Sequence, residues 1–168
     1  GLSSNNIEGS LPSEMESMAN LLWLELNDNV LTGEIPVALA NLLELTSLSL
    51  KENIMSGSIP AELSSMQKLA VLELDDNSLS SWIVPTTTNQ TADGNDFFVS
   101  LQRFSAKSNF IEGTLPSEMG LMTGIQSFNI SSNLLFGSLP SEIGKLSQLG
   151  KSCVCSYFSF NKMRNPNA

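Results

Sequence analysis

The sequence contains no histidine among its 168 residues. Without an imidazole, the chain has no Ser/His/Asp or Cys/His nucleophile system, no histidine-ligated zinc or haem, and no histidine pH switch. It also has no Gly-rich phosphate loop, HRD sequence or DFG sequence of the kind found in kinases. We therefore expect no catalytic residue, no metal site and no cofactor in this chain, and we do not expect it to be an enzyme.

Basic residues are scarce, with 8 Lys and Arg against 17 Asp and Glu, a formal net charge of −9. This sign of charge disfavours nucleic acid and anionic lipid surfaces as partners. No apolar run approaches the roughly 18 residues of a membrane-spanning helix, so none is expected in this chain. The chain begins Gly1-Leu2-Ser3 with no Met, basic leader or apolar leader, and we expect it to be cut from a longer protein.

Asparagines recur at a nearly fixed spacing along the chain. The intervals between them are 24, 24, 24, 32 and 24 residues. A complete block reads LTSLSLKENIMSGSIPAELSSMQK from Leu45. Internal repeats of roughly 20 to 50 residues are typical of solenoids, in which each repeat packs only against its neighbours. The recurring asparagines are Asn5, Asn29, Asn53, Asn77, Asn109 and Asn133.

Each recurring position has a physical role in one coil of a solenoid. Side chains alternate between faces along a strand, so the paired apolar positions point into the coil and the residue between them points outward. The recurring Asn turns inward and can hydrogen-bond backbone groups of neighbouring coils. The recurring Gly suits a positive φ, and the recurring Pro ends an extended segment before a short helical turn. The inward pairs are Leu24 and Leu26, Leu48 and Leu50, Leu72 and Leu74, Phe104 and Ala106, and Phe128 and Ile130.

The pattern LxxLxLxxNxLxGxIPxxLxxLxx resembles the leucine-rich repeat family in its 24-residue, plant-type form. The resemblance implies an α/β repeat solenoid, a right-handed superhelix with a parallel β-sheet on its concave face. Extended or 3-10 segments and short helical turns are expected on the convex face. The resemblance covers residues 1–148, and residues 149–168 form a degenerate or non-repeat tail. We expect a partial repeat over 1–20, repeats starting at 21, 45, 69, 101 and 125, and an insertion at about 86–96.

The same resemblance implies a non-catalytic recognition module of a receptor-like or secreted protein, which binds a protein, peptide or glycan on its concave face. It also implies an extracellular or cell-surface location, with the full-length protein anchored in a membrane in some members. Two alternatives stay open. In the first, the chain is the ectodomain part of a receptor-like kinase whose kinase domain lies outside these residues. In the second, it is an intracellular scaffold with leucine-rich repeats.

The candidate binding face consists of outward residues around each repeated strand. We predict that Glu25, Glu73 and Asp75 lie in register on neighbouring strands, and that a basic-polar half follows this acidic half. Trp23 is the expected anchor, because buried interface aromatics often carry much of the binding energy. In the alternative interpretation, the outward polar residues only keep an exposed sheet soluble. The predicted face comprises Trp23, Glu25, Asp28, Lys51, Glu52, Glu73, Asp75, Asp76, Arg103 and Lys107.

The 32-residue interval contains the polar stretch PTTTNQTADGND, which predicts a surface loop. Trp82 stands where other repeats have Ser, Glu or Thr, and it either packs beneath a tolerated insertion or belongs to a contact-making one. Two Asn-x-Ser/Thr triplets are candidate N-glycosylation sites, at Asn89 and Asn129. A glycan on Asn129 would limit access to one end of the concave sheet.

The tail differs from the repeats in charge and in pattern. Residues 1–148 carry 17 acidic and 5 basic residues, whereas the tail carries 3 basic and no acidic residues. Cys153 and Cys155 are two residues apart, a spacing that would strain a disulfide. Three interpretations stay open for these cysteines. They are half of a set of disulfide bridges whose other cysteines lie in missing sequence, ordinary buried thiols, or part of a non-native sequence.

Overall fold

The computed structural model describes residues 2–82 and 97–150, which form a stack of short coils. Each regular coil contributes one strand to a five-stranded parallel sheet with strand order β2-β4-β6-β8-β10. Because the period is 24 residues, residues at the same repeat position lie side by side, as Leu24, Leu48 and Leu72 do. The strands of this sheet are β2 (Trp23–Glu25), β4 (Ser47–Ser49), β6 (Val71–Glu73), β8 (Arg103–Ser105) and β10 (Ser127–Asn129).

A second row of strands follows the turn of each coil and pairs in parallel as β1-β3, β5-β7 and β9-β11. Its members are β1 (Glu8–Ser10), β3 (Val30–Thr32), β5 (Ser56–Ile59), β7 (Ser78–Trp82), β9 (Glu112–Gly113) and β11 (Leu134–Leu135). Five 3-10 helices complete the described coils: η1 (Ser13–Ser17), η2 (Val37–Asn41), η3 (Ala61–Ser65), η4 (Ser117–Leu121) and η5 (Ser141–Lys145). A proline in extended conformation precedes each helix, as the sequence predicts.

The core runs through the interior of the coils, and the predicted inward pairs are all buried. Leu48, Leu50, Leu72 and Leu74 have no exposed surface, and Leu24 at one end of the sheet is 8% exposed. Burial of apolar surface is the main favourable term in folding. Since a coil buries these side chains only against its neighbours, stability depends on stacking. The predicted solenoid fold is confirmed.

The recurring asparagines join consecutive coils, as Asn53 illustrates. Its Nδ2 donates to the carbonyl oxygens of Leu26, Leu50 and Lys51 at 3.0, 3.1 and 3.1 Å. Its Oδ1 accepts the Leu31 N–H at 3.0 Å. The same four contacts recur at Asn29, Asn77, Asn109 and Asn133. This set, called the asparagine ladder below, satisfies buried backbone groups of two coils at once.

The recurring glycines have the positive φ that the sequence predicts. Gly57 has φ of 78°, and a Cβ added there would lie 2.7 Å from Cγ of Glu34. Both the left-handed backbone and the close neighbour therefore favour glycine at this position.

The coil that precedes residue 83 is irregular, and it moves Trp82 from the repeat slot that sequence alignment gives it to a position against the core. The pairing of β5 with β7 shifts from a 22-residue to a 23-residue offset, because Gly57 faces Leu79 while Ser58 faces Ser81. This bulge inserts one residue and moves Trp82 out of the slot held by Ser, Glu or Thr in other coils. Trp82 packs on the core and stacks on Phe104, with ring centroids 4.9 Å apart.

The predicted tail, residues 149–168, lies outside the described residues except for its first two positions, and three further sequence predictions lie wholly outside them. These are the 86–96 insertion, the candidate glycosylation site at Asn89, and the cysteine pair Cys153 and Cys155. Within the described part of the chain, no helix is long and apolar enough to cross a membrane.

Candidate recognition face

The outward side chains of the five-stranded sheet form rows that run across the strands. One row contains Trp23, Ser47, Val71, Arg103 and Ser127. A second row contains Glu25, Ser49, Glu73, Ser105 and Asn129. Both rows belong to the face opposite the buried Leu and Phe side chains, as strand alternation requires. We call this surface the recognition face.

The predicted placement of Glu25, Glu73 and Asp75 on neighbouring strands is wrong, although Glu25 and Glu73 do lie in one row. Glu25 faces Ser49, and Ser49 faces Glu73, so a full strand separates the two glutamates. Asp75 lies two residues beyond Glu73 in the same coil and is not on a neighbouring strand. The 24-residue period explains the difference, because the residue after one period from Glu25 is Ser49. The glutamates therefore stand about 10 Å apart, two strand spacings, and form no continuous acidic row.

Glu73 is held inside an ion-pair network at the middle of the recognition face. Its carboxylate lies 3.0 Å from Nζ of Lys51 and 3.6 Å from Nη1 of Arg103, and it accepts the Ser49 hydroxyl at 3.0 Å. Partial burial acts to raise the pKa of Glu73, but the Lys51 and Ser49 hydrogen bonds and the charges of Lys51 and Arg103 hold the pKa below its usual value. The centre of the face is therefore largely neutralised by its own side chains.

Asp75 links two coils instead of facing a partner. Its Oδ1 accepts the Ser105 hydroxyl, and it accepts the Lys107 N–H at 2.7 Å. Asn27, at the same repeat position, accepts the Lys51 N–H at 3.0 Å in the same way. Burial raises the pKa of Asp75 despite these hydrogen bonds, and the charges of Asp76 and Glu73 act in the same direction. A neutral acceptor such as Asn would suit this position as well as a carboxylate does.

Asp28, Glu52 and Asp76 occupy one repeat position in three successive coils, and all three are exposed. Their φ angles are 54°, 54° and 53°, in the left-handed region that non-glycine residues rarely adopt. Each donates its N–H to a backbone carbonyl of the next coil at 2.9 Å, to Lys51, Asp75 and Lys107 respectively.

Within residues 2–82 and 97–150, no three acidic, histidine or cysteine side chains are grouped closely enough to hold a metal ion.

Trp23 is the most prominent apolar residue of the recognition face, with 64% of its surface exposed. Leu22 beside it is also exposed, and Glu25 follows on the same strand. A hollow next to Trp23 is lined by Leu21, Met15 and other apolar side chains of the first coils. Exposed cations lie three strands away on the same face, at Arg103 of β8 and at Lys107 just after it. The predicted face is thus apolar and acidic at β2 and basic at β8, and the Glu73 network connects Lys51 to Arg103.

Sequence comparison agrees with this architecture. A family model described as Leucine Rich Repeat matches residues 20–42 and 124–146. The chain is a leucine-rich repeat solenoid. No curated protein sequence matches the chain significantly.

Solved leucine-rich repeat structures superpose on most of the described solenoid. One is the ectodomain of the receptor kinase GASSHO1/SCHENGEN3 from Arabidopsis thaliana, in complex with CASPARIAN STRIP INTEGRITY FACTOR 2. It is 28% identical, with a TM-score of 0.77 over 86% of this chain and 16% of that chain. Another is the Arabidopsis receptor kinase HAESA with the peptide hormone IDA and the co-receptor SERK1. It is 29% identical, with a TM-score of 0.76 over 88% and 24% of the two chains.

The shorter ectodomain of the Arabidopsis thaliana receptor kinase SOBIR1 is 25% identical, with a TM-score of 0.66 over 78% of this chain and 67% of that chain. The present leucine-rich repeat chain therefore spans about a quarter or less of the length of the GASSHO1/SCHENGEN3 and HAESA ectodomains. Its counterpart in those proteins is a stretch of a longer solenoid.

Proposed function

We propose that this leucine-rich repeat chain is a non-catalytic recognition module of an extracellular receptor-like protein, and that it binds an extended peptide across its recognition face. The observation that carries the proposal is the exposed Trp23 on an open parallel sheet whose central charges are already paired. Exposed aromatic side chains on a rigid scaffold are the groups that most often dominate binding energy once a partner covers them.

The shape of the sheet supports a peptide as the ligand. The outward rows cross the strands at right angles to the chain direction, so an extended segment lying along the solenoid axis would meet one side chain of each coil. Such a segment would pass from Trp23 over Ser47 to Val71. Ser47 and Val71 are small and only partly exposed, which leaves this path flat beyond Trp23.

The superposed receptors support the same ligand class. The HAESA structure contains a peptide hormone and a co-receptor, and it resembles this chain over nearly all of the described solenoid. By this resemblance we infer a peptide or protein ligand for the present chain and an extracellular location. Because these relatives are receptor kinases, we also propose that the chain belongs to the ectodomain of a longer receptor. The full reading frame would test this last point, since a kinase sequence should follow a membrane-spanning helix.

The ligand proposal is tested with a phage-displayed library of random linear peptides panned against the purified chain. Trp23→Ala should weaken the selected peptides about tenfold or more, as expected for an interface aromatic worth over 1.4 kcal/mol. Leu43→Ala is the matched control, because Leu43 is also 64% exposed and follows helix η2, away from the recognition face. Equal affinity of wild type and Trp23→Ala, or an equal loss in Leu43→Ala, would contradict the proposal.

A further inference from the structure

Asn129 is the only asparagine of the described residues that begins an Asn-x-Ser/Thr triplet, Asn129-Ile130-Ser131. It lies on strand β10, between the buried side chains of Phe128 and Ile130. Strand alternation therefore places its side chain on the recognition face, in the row of Ser105 and Glu73.

The buried asparagines of the ladder cannot carry a modification at the same atom. Each uses its Nδ2 for three hydrogen bonds inside the coil, as Asn133 does with Ala106, Ile130 and Ser131. The residue two positions after each ladder asparagine is an apolar core residue, so no ladder asparagine begins an acceptor triplet. Those residues are Leu31, Met55, Leu79, Ile111 and Leu135.

The side chain of Asn129 is arranged in the opposite way. Its Oδ1 accepts the Ser131 hydroxyl at 2.8 Å and the Ser131 N–H at 3.1 Å, which forms an Asx turn. Its Nδ2 makes no hydrogen bond to any described residue. Ser131 is only 7% exposed while Asn129 is partly exposed, so the turn anchors the Asn129 side chain through its oxygen and leaves the amide nitrogen out of the turn.

The neighbouring strand β8 places only a small side chain beside Asn129. The residue beside Asn129 on β8 is Ser105, a small side chain that is itself bonded to Asp75. Nothing in the described part of this row projects over Asn129 as a long side chain would. A group attached at Nδ2 would therefore extend from the recognition face without disturbing the core.

We propose that Asn129 carries an N-linked glycan, and that this glycan shields β10 and β8 so that the peptide footprint lies on β2, β4 and β6. The inference rests on the proposed extracellular function. An oligosaccharide is transferred from a lipid-linked diphosphate donor, so that a bond forms between Nδ2 and the sugar C1 as the C1–O bond to the diphosphate breaks. One amide proton is lost to the transferase. Trp23 on β2 is left uncovered at the far side of the sheet.

The modification is tested by secreting the 168-residue chain from insect cells behind an added signal peptide. Enzymatic deglycosylation in oxygen-18 water, followed by peptide mass spectrometry, should label Asn129. Asn129→Gln should lose that label and the mass of one glycan, whereas Ser131→Thr keeps the triplet and should keep the label. Asn89→Gln is the control for the other triplet and should leave the label on Asn129 unchanged. An unlabelled Asn129 in the secreted, folded wild type would overturn the inference.

The shielding is tested without any ligand, so its failure is distinct from a failure of the peptide proposal. Phenylglyoxal modification of Arg103, on β8, should be slower in the glycosylated wild type than in Asn129→Gln. Hydroxyl-radical oxidation of Trp23 should proceed at the same rate in both. Equal Arg103 modification rates in a protein with a labelled Asn129 would overturn the shielding, and a slower Trp23 oxidation would place the glycan over the wrong end.

Discussion

The Nζ atom of Lys51 lies 3.0 Å from Oε2 of Glu73, across the boundary between two neighbouring coils. Arg103 approaches the same carboxylate from the coil on the other side. Glu73 thus joins three consecutive coils by ion pairs. The side chains of Lys51, Glu73 and Arg103 already contact one another in the protein without a ligand. Because the pKa of Glu73 is lowered, its contribution to stability is present above the ordinary glutamate pKa and is lost as the pH falls through the lowered value.

Asp75 gives the opposite pH dependence, which one substitution should reveal. Asp75→Asn keeps an Oδ1 acceptor for Lys107 and Ser105 but removes a charge whose pKa is raised by burial. A carboxyl group with a raised pKa in the folded state lowers stability as the pH rises above its ordinary pKa, and the loss is complete above the raised value. We expect Asp75→Asn to be more stable than wild type at pH 7, by up to about 1 kcal/mol. Below the ordinary Asp pKa of about 3.9, the difference should vanish.

The measurement is urea unfolding at several pH values. Asp75→Ala should lower stability at every pH by about 1 to 3 kcal/mol, because it leaves the Lys107 N–H without its acceptor. Glu62→Gln, at an exposed position of helix η3, serves as the control. A loss of stability in Asp75→Asn at pH 7 would show that the carboxylate is required.

Substitution of an asparagine of the asparagine ladder should lower the free energy of unfolding far more than substitution of an exposed asparagine. Asn53→Ala removes one acceptor and two donor hydrogens that satisfy four backbone groups of two coils. We expect a loss of about 3 kcal/mol or more in the free energy of unfolding, since buried polar groups are left unpaired. Asn20→Ala, at an exposed position, should change it by less than about 0.5 kcal/mol. Similar unfolding midpoints for the two variants would contradict the role assigned to the ladder.

Two glycines should respond differently to the same added methyl group. Gly57→Ala forces a side chain into a backbone with φ of 78° and towards Glu34. The expected cost is about 1 to 2 kcal/mol for the left-handed conformation, before any adjustment of the Glu34 side chain. Gly144 lies in helix η5 with no atom within 4 Å of an added Cβ, so Gly144→Ala should be neutral or slightly stabilising. Thermal unfolding followed by circular dichroism compares the pair.

Substitution of the two tryptophans should have different effects on stability, because Trp82 packs on the core and Trp23 is exposed. Trp82 stacks on Phe104 and lies 6.1 Å from Phe128 between ring centroids, whereas Trp23 faces solvent. Trp82→Ala should cost about 3 to 5 kcal/mol, as large aromatic truncations in cores do. Trp23→Ala should change stability by less than about 0.5 kcal/mol. In Trp23→Phe the remaining fluorescence should be blue-shifted relative to Trp82→Phe, and the reverse order would refute the assigned environments.

Most of the coil could be predicted from the sequence because its positions are set by period and by backbone chemistry. Leu48 and Leu50 must point inward together, and Asn53 must bond to backbone, whatever the neighbouring coils contain. The same period determines the order of the outward residues. Ser49 follows Glu25 by one period and Glu73 follows it by two, so the two glutamates lie two strands apart. The ion pairs of Glu73 could not be predicted, because the conformations of the long Lys51 and Arg103 side chains are not determined by the repeat period.

The bulge next to Trp82 did leave a trace in the sequence. Pro60 stands seven residues after Asn53, whereas Pro85 stands eight residues after Asn77. One extra residue between a ladder asparagine and its proline is what the shifted pairing of β5 with β7 absorbs. The sequence left open whether Trp82 packs or makes a contact, and its stacking on Phe104 follows from the shift.

The asparagine ladder makes distance along the axis independent of distance along the chain. Nδ2 of Asn109 reaches the Leu74 carbonyl at 3.0 Å over a separation of 35 residues, and Nδ2 of Asn53 reaches the Leu26 carbonyl at the same 3.0 Å over 27. The step between β6 and β8 is thus the same as every other step, although more chain connects them. A descendant of this sequence can lengthen or shorten that connection freely, and the pitch of its outward rows will not change.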